Sequence, residues 1–176
     1  KNPTPQWVHW RDIVWRFDVV GSGIFLASLV YCYVWHTKAA YAHDEVFSAL
    51  QFASKPILQT ISLYPLPNNH LFFNAINHWF IYFTDDLVIT GRMISGLSFA
   101  LLMVSIYGFF YRKIQDRVVC ILMVMVLMTV FSIFGFATQA RGYSFHLLLG
   151  WMAFIQLYHF RQGHDHRHLF WYSIAC

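Results

Sequence analysis

"LVITGRMISGLSFALLMVSIYGFFY", Leu87 to Tyr111, holds a single charge, Arg92, in a run that never turns polar for more than two residues. About 20 mostly apolar residues suffice for a helix to cross a hydrocarbon layer. Three further runs are comparable: Val19–Trp35, Val118–Phe136 and Tyr143–Phe160. A fifth begins at Leu169 and stops at Cys176, too short to cross. With Lys at position 1, that truncated run leads us to expect a piece of a longer protein.

Composition agrees with the pattern. The 176 residues are 58% hydrophobic, 20% aromatic and only 11% charged, with a mean hydropathy of +0.47. A soluble domain carries about 25% charged residues, and one with so few could not cover its surface. The prediction is an all-α fold: a polytopic transmembrane helix bundle, integral to the membrane and multi-pass. The net charge of +4 comes without a basic binding motif, so no nucleic-acid partner is expected. Cys32, Cys120 and Cys176 sit in apolar surroundings without paired spacing and read as packing residues.

The loops orient the bundle. Lys1, Arg11 and Arg16 precede the first span, Arg112, Lys113 and Arg117 lie between the second and third, and Arg161 and Arg167 follow the fourth. The positive-inside rule makes that side cytoplasmic. Lys38, Lys55 and Arg141, with Arg92 just inside the membrane, fall on the opposite, extracytoplasmic side, together with Asp44, Glu45, Asp85 and Asp86. "WVHWRDIVWRFD", Trp7 to Asp18, reads as an anchoring segment at headgroup level.

The loop 38–86 is long and not polar. It is expected to hold two interfacial amphipathic helices, over Asp44–Ser54 and His70–Phe83. In the second, His70, Asn74, Asn77 and His78 share one face. Asp44 is a natural N-cap with Glu45 in the first turn, and a carboxylate fixed beside lipid is also placed to act as a general base. Arg92 reads either as a snorkelling side chain or as a counter-charge for the acidic pair or an anionic ligand. Arg141, in "ATQARGY", is a headgroup contact or a phosphate fork. In "TDD", Thr84 is expected to cap the second span with Asp85 and Asp86 in its first turn. The His159, His164, His166 and His168 cluster fits no zinc spacing, so no metal is placed there.

In order, "HDEVFSAL", "PNNHLFFNAINHWF", "GRMISGLSFALL" and "FATQARGYSFHLLLG" resemble membrane glycosyltransferases of the GT-C fold. The likeness is to the protein-mannosyltransferase and aminoarabinose-transferase group, which uses polyprenyl-phosphate sugars. It spans Asp18 to Phe160. It implies Asp44 as catalytic base, with Glu45 supporting it or touching the acceptor. It implies Arg141 and Arg92 near the donor phosphate, and His70, Gln139 and Tyr143 lining the cleft. Many relatives carry a carboxylate where this chain has Gln139, which cannot ionise. The implied partners are a polyprenyl-phosphate sugar donor, a hydroxyl acceptor and the bilayer. No resident cofactor is implied, although a divalent cation, used by some relatives, is compatible with the acidic pair. The rival reading is a non-catalytic lipid-handling or transport protein whose Asp-Glu pair only caps a helix.

Overall fold

The computed structural model describes residues 17–62, 70–80 and 83–163, and among these every regular element is helical. The helices are α1 (Val19–His36), α2 (His43–Ser48), α3 (Ile57–Ser62), α4 (Leu71–Trp79), α5 (Leu87–Ile114), α6 (Arg117–Thr129), α7 (Phe131–Ala137) and α8 (Tyr143–Gly163). A π-helical turn, Ala49–Ala53, continues α2. The N-terminal anchoring segment before Phe17, most of the histidine cluster and the run from Leu169 lie outside the described residues.

α5 is the axis. Asp86 caps it, its Oδ1 accepting from the N–H groups of Val88 and Ile89 at 3.0 Å. Thr84 instead accepts from Asp86 N–H at 3.2 Å, so the cap lies two residues later than the sequence suggests. Of its 28 residues 18 are buried, because α1, α6, α7, α8 and α4 all pack on it. Small side chains permit that approach: a Cβ on Gly96 would lie 3.2 Å from Cys32 Cβ, and one on Gly91 only 2.8 Å from Ala140 Cβ. The shared core joins Cys32 to Phe99, Met103, Tyr107, Cys120 and Leu148. Cys32 and Cys120 are free thiols within it, as packing residues should be.

Among the described residues two helices, α1 and α5, are long and apolar enough to cross a membrane. The expected third span, 118–136, is not one helix. It divides at Val130, whose extended backbone (φ −66°, ψ 112°) ends α6 after 13 residues, about 20 Å of helix. α8 has the length, 21 residues, but Ser144, His146, Gln156 and His159 interrupt its apolarity.

The turn between α5 and α6 is minimal. Gln115 takes the left-handed conformation (φ 57°), its N–H donating to Tyr111 O, and Asp116 at once caps α6. This end of the bundle gathers Lys113, stacked 4.7 Å over Tyr158, and Arg117, over Tyr111. The opposite end, called the rim below, gathers the end of α1, the start of α5, the end of α7 and the start of α8. The acidic pair lies there.

α4 is amphipathic, as the sequence predicts, but its polar edge faces the protein. Asn77 is buried, its amide donating to Leu87 O at 2.9 Å and its Oδ1 accepting from the Thr90 hydroxyl at 2.8 Å. His78 Nδ1 lies 2.8 Å from Ala53 O. Phe72 and Trp79 are exposed at 61% and 67%.

Gly91→Ala is expected to destabilise the fold by about 1–3 kcal/mol, since overpacking must push the 138–142 loop off α5. Gly23→Ala, whose added methyl meets nothing within 4 Å, should leave stability unchanged or raise it by up to about 1 kcal/mol. Thermal unfolding of both variants in mild detergent tests the pair.

Candidate functional site at the rim

Asp44 and Glu45 are neighbours in sequence and opposites in environment. Successive helical residues point about 100° apart; here one turns into the protein and the other out. α2 begins at His43 with Ala42 as N-cap, so Asp44 is not the N-cap. Glu45 performs the capping, Oε2 accepting from Ala42 N–H at 2.8 Å, the half of a capping box that needs no side chain at the N-cap.

Glu45 is 1% exposed and fully engaged. Its Oε1 accepts from Arg92 Nε at 2.9 Å and from Ala140 N–H. Its Oε2 accepts from Arg92 Nη2 at 2.7 Å and from Ala42. Four accepted bonds saturate a carboxylate. Burial alone would raise its pKa, but the hydrogen bonds from Arg92, Ala140 and Ala42 outweigh it and hold the carboxyl below its ordinary range. Glu45 therefore stays ionised and has no lone pair to offer an acceptor, contrary to the catalytic or acceptor-contacting role expected of it.

Arg92 is equally committed. Beyond its two bonds to Glu45, Nη1 donates to His36 O and Ala39 O at 3.0 and 2.9 Å, and Nη2 donates to Ala40 O at 2.9 Å. All five N–H donors of the guanidinium are used, and Tyr41 stacks on it at 4.8 Å. It neither snorkels nor retains a donor for a phosphate. The expectation that it binds donor phosphate gives way to a structural one: it ties the end of α1 to α2 and α5.

Asp44 and Arg141 stand in front of this buried pair. Arg141 Nη1 donates to Asp44 Oδ2 at 3.2 Å, with the aspartate side chain 52% exposed and the arginine 12%. The 138–142 loop that carries Arg141 is fixed at three points. Ala140 N–H donates to Glu45, the Ser95 hydroxyl donates to Arg141 O at 3.0 Å, and Gly142 packs so closely on Phe73 and His146 that a Cβ would lie 3.0 Å from each. Arg141 N–H also donates to Gln139 O at 2.8 Å, a tight turn that keeps Gln139 beside the site through its backbone.

Tyr143 opens α8 and forms a wall. Arg141 lies 4.9 Å over its ring, and His70 meets it edge-on at 4.8 Å. From Tyr143 and His146 an apolar groove of about 550 Å³ runs down the bundle between α5 and α8, past Met103, Leu147 and Trp151. The break at Val130 contributes to it, since Leu127, Ile133 and Phe136 from either side of the break line the same groove. The sequence did not point to the groove; a helix break without Pro or Gly leaves no local mark. Among the described residues no group of three or more His, Cys, Asp or Glu side chains converges as a metal site.

Comparison with protein-family models, with curated proteins and with solved structures returned no match, and the site is read from its own geometry.

Glu45→Gln leaves Arg92 buried beside a neutral amide, and breaking a buried pair from one side costs about 3–5 kcal/mol. Because the folded-state pKa of Glu45 is depressed, its stabilisation is complete above the ordinary glutamate value near ~4.3 and is lost as pH falls through and below it. Thermal unfolding of the wild type should weaken across that acid window, and Glu45→Gln should lack that component of the pH dependence.

Proposed function

We propose that this chain is part of a multi-pass membrane glycosyltransferase with a GT-C-like helix bundle. In this reading a sugar moves from a polyprenyl-phosphate donor to an acceptor hydroxyl at the extracytoplasmic rim. The observation that carries it is one contact: the half-exposed carboxylate of Asp44, held by Arg141, beside the tyrosine at the mouth of an apolar groove. A base, an anion-binding fork and a lodging for hydrocarbon thus adjoin one another.

Three features support a membrane setting. α1 keeps Leu26, Val30, Tyr33 and Trp35 exposed. α4 turns Phe72 and Trp79 outward and Asn74 and Asn77 inward, which suits a lipid interface. α1 and α5 are each long and apolar enough to cross a membrane.

The chemistry divides among the residues as follows. The acceptor hydroxyl loses its proton to Asp44 as its oxygen attacks the anomeric carbon. The bond from that carbon to the phosphate oxygen breaks, and its electron pair leaves with the lipid phosphate. Arg141 faces the charge that develops there. One base and one phosphate clamp suffice for a single displacement with inversion. Glu45 and Arg92 take no part in bond making. They fix the height of α2 and of the 138–142 loop, so that Asp44 and Arg141 meet.

A lipid-handling protein would use the same groove, and Asp44 separates the two readings. In membranes supplied with a polyprenyl-phosphate sugar, Asp44→Asn is expected to lower transfer by about 10²–10⁴-fold while leaving the unfolding temperature in place. Wild-type transfer by that variant defeats the assignment. Arg141→Ala should raise the KM for the donor, and an unaltered donor dependence removes Arg141 from the phosphate.

A further inference from the structure

One buried nitrogen at the rim takes no part in the proton transfer or in the Asp44–Arg141 contact. His70, immediately before α4, packs edge-on against Tyr143 at 4.8 Å and lies 5.5 Å from the ring of His146. Its Nε2 is shielded from solvent and has no hydrogen-bond partner among the described residues. A buried polar atom left unpaired costs free energy, and such atoms in native structures call for a partner that completes them. Tyr143 is shared: the imidazole touches its ring, Arg141 lies over the same ring, and the apolar groove begins beneath it.

From this arrangement we infer that His70 Nε2 is a second contact to the donor's phosphate, facing it together with Arg141 at the mouth of the groove. The inference rests on the glycosyl-transfer reading and deepens it.

The choice of histidine over a second arginine follows from charge. Burial lowers the pKa of His70, and the nearby His146 and Arg141 lower it further, so the ring is neutral at rest. Among the described residues the groups around it are few. Arg141 comes from the 138–142 loop, with Asp44 beyond it; Tyr143 and His146 come from α8. α3 and the π-helical turn, which also pack on α4, bring no titratable side chain. α5 meets α4 through Asn77, about two turns from His70, and its one nearby charge, Arg92, is spent on Glu45. A neutral Nε2–H adds a donor without repelling Arg141.

The donor is a phosphodiester with one negative charge, whereas the product is a phosphomonoester whose second pKa is near ~6. The acceptor's proton goes to Asp44 and the electron pair of the broken bond stays on phosphate oxygen. The added negative charge then favours the imidazolium, so His70 takes up one proton from water as the product forms. Release of the lipid phosphate returns the His70 proton to solvent, and Asp44 gives up the acceptor's proton to solvent in turn.

The experiment is calorimetric titration of the purified chain in nanodiscs with a polyprenyl monophosphate and with the matching polyprenol, near pH 7, in two buffers of different ionisation enthalpy. The wild type should bind the monophosphate more tightly than the alcohol and take up protons in doing so. His70→Phe keeps a ring against Tyr143 but removes both nitrogens. It should weaken monophosphate binding by about tenfold, the worth of a hydrogen bond to a charged group, leave polyprenol binding unchanged and reduce the proton uptake. His70→Gln, which restores an N–H donor but cannot ionise, should recover affinity without the missing proton uptake. If the wild type prefers the monophosphate and His70→Phe matches it in affinity and proton uptake, the inference about His70 is overturned and the wider reading stands. If the wild type shows no preference for the monophosphate, the phosphate site itself is wrong, and the wider reading falls with it.

Discussion

The rim depends on one buried ion pair. Glu45 and Arg92 saturate each other and then use what remains on backbone: Glu45 on Ala42 and Ala140, Arg92 on His36, Ala39 and Ala40. Removing two charges from water is costly unless every lone pair and every proton finds a partner. Here each does. The pair therefore acts less as an attraction than as a junction, in which the end of α1, the start of α2, the first turns of α5 and the loop before α8 are held at a single point.

That junction explains why adjacent carboxylates can behave so differently. Once Glu45 is drawn inward, the helical rotation between neighbours carries Asp44 outward, to the half-exposed position where Arg141 meets it. The ion pair in front is partly solvated and contributes about 1 kcal/mol or less; the one behind bears the structural burden. Stability and reactivity are thereby assigned to separate members of one dipeptide.

Much of this arrangement was legible in the sequence, and the illegible parts have physical reasons. The apolar runs gave the helices, and Asp44, Arg92 and Arg141 stood out because charge is scarce around them. Periodicity placed Asn74, Asn77 and His78 on one face of α4 but could not give its sign, since the same stripe faces solvent in one medium and protein in another. The third apolar run is two helices rather than one, and the fourth is long but less evenly apolar than the second. Val130 breaks the run with neither Pro nor Gly nearby, and α8 reads as apolar only if its scattered hydroxyl, amide and imidazole groups are averaged away. Which of Asp44 and Glu45 is the buried one depends on where α2 starts, and a shift of one residue there reverses the assignment. Arg92's five donors were invisible because three of its partners are main-chain carbonyls, which no side-chain pattern records.

The two-residue turn at Gln115 and Asp116 has a consequence for the order of assembly. α5 and α6 are joined so closely that their pairing is local and can form as soon as both have left the ribosome. The rim is the reverse case: Glu45 reaches Ala140 across 95 residues and Arg141 reaches Asp44 across 97. A nascent chain halted just before the 138–142 loop would hold the α5–α6 hairpin and the Glu45–Arg92 pair, with Glu45 one donor short and Asp44 without its arginine. Competence at the rim is thus a late event in biogenesis, separated in time from the compaction of the axis that supports it.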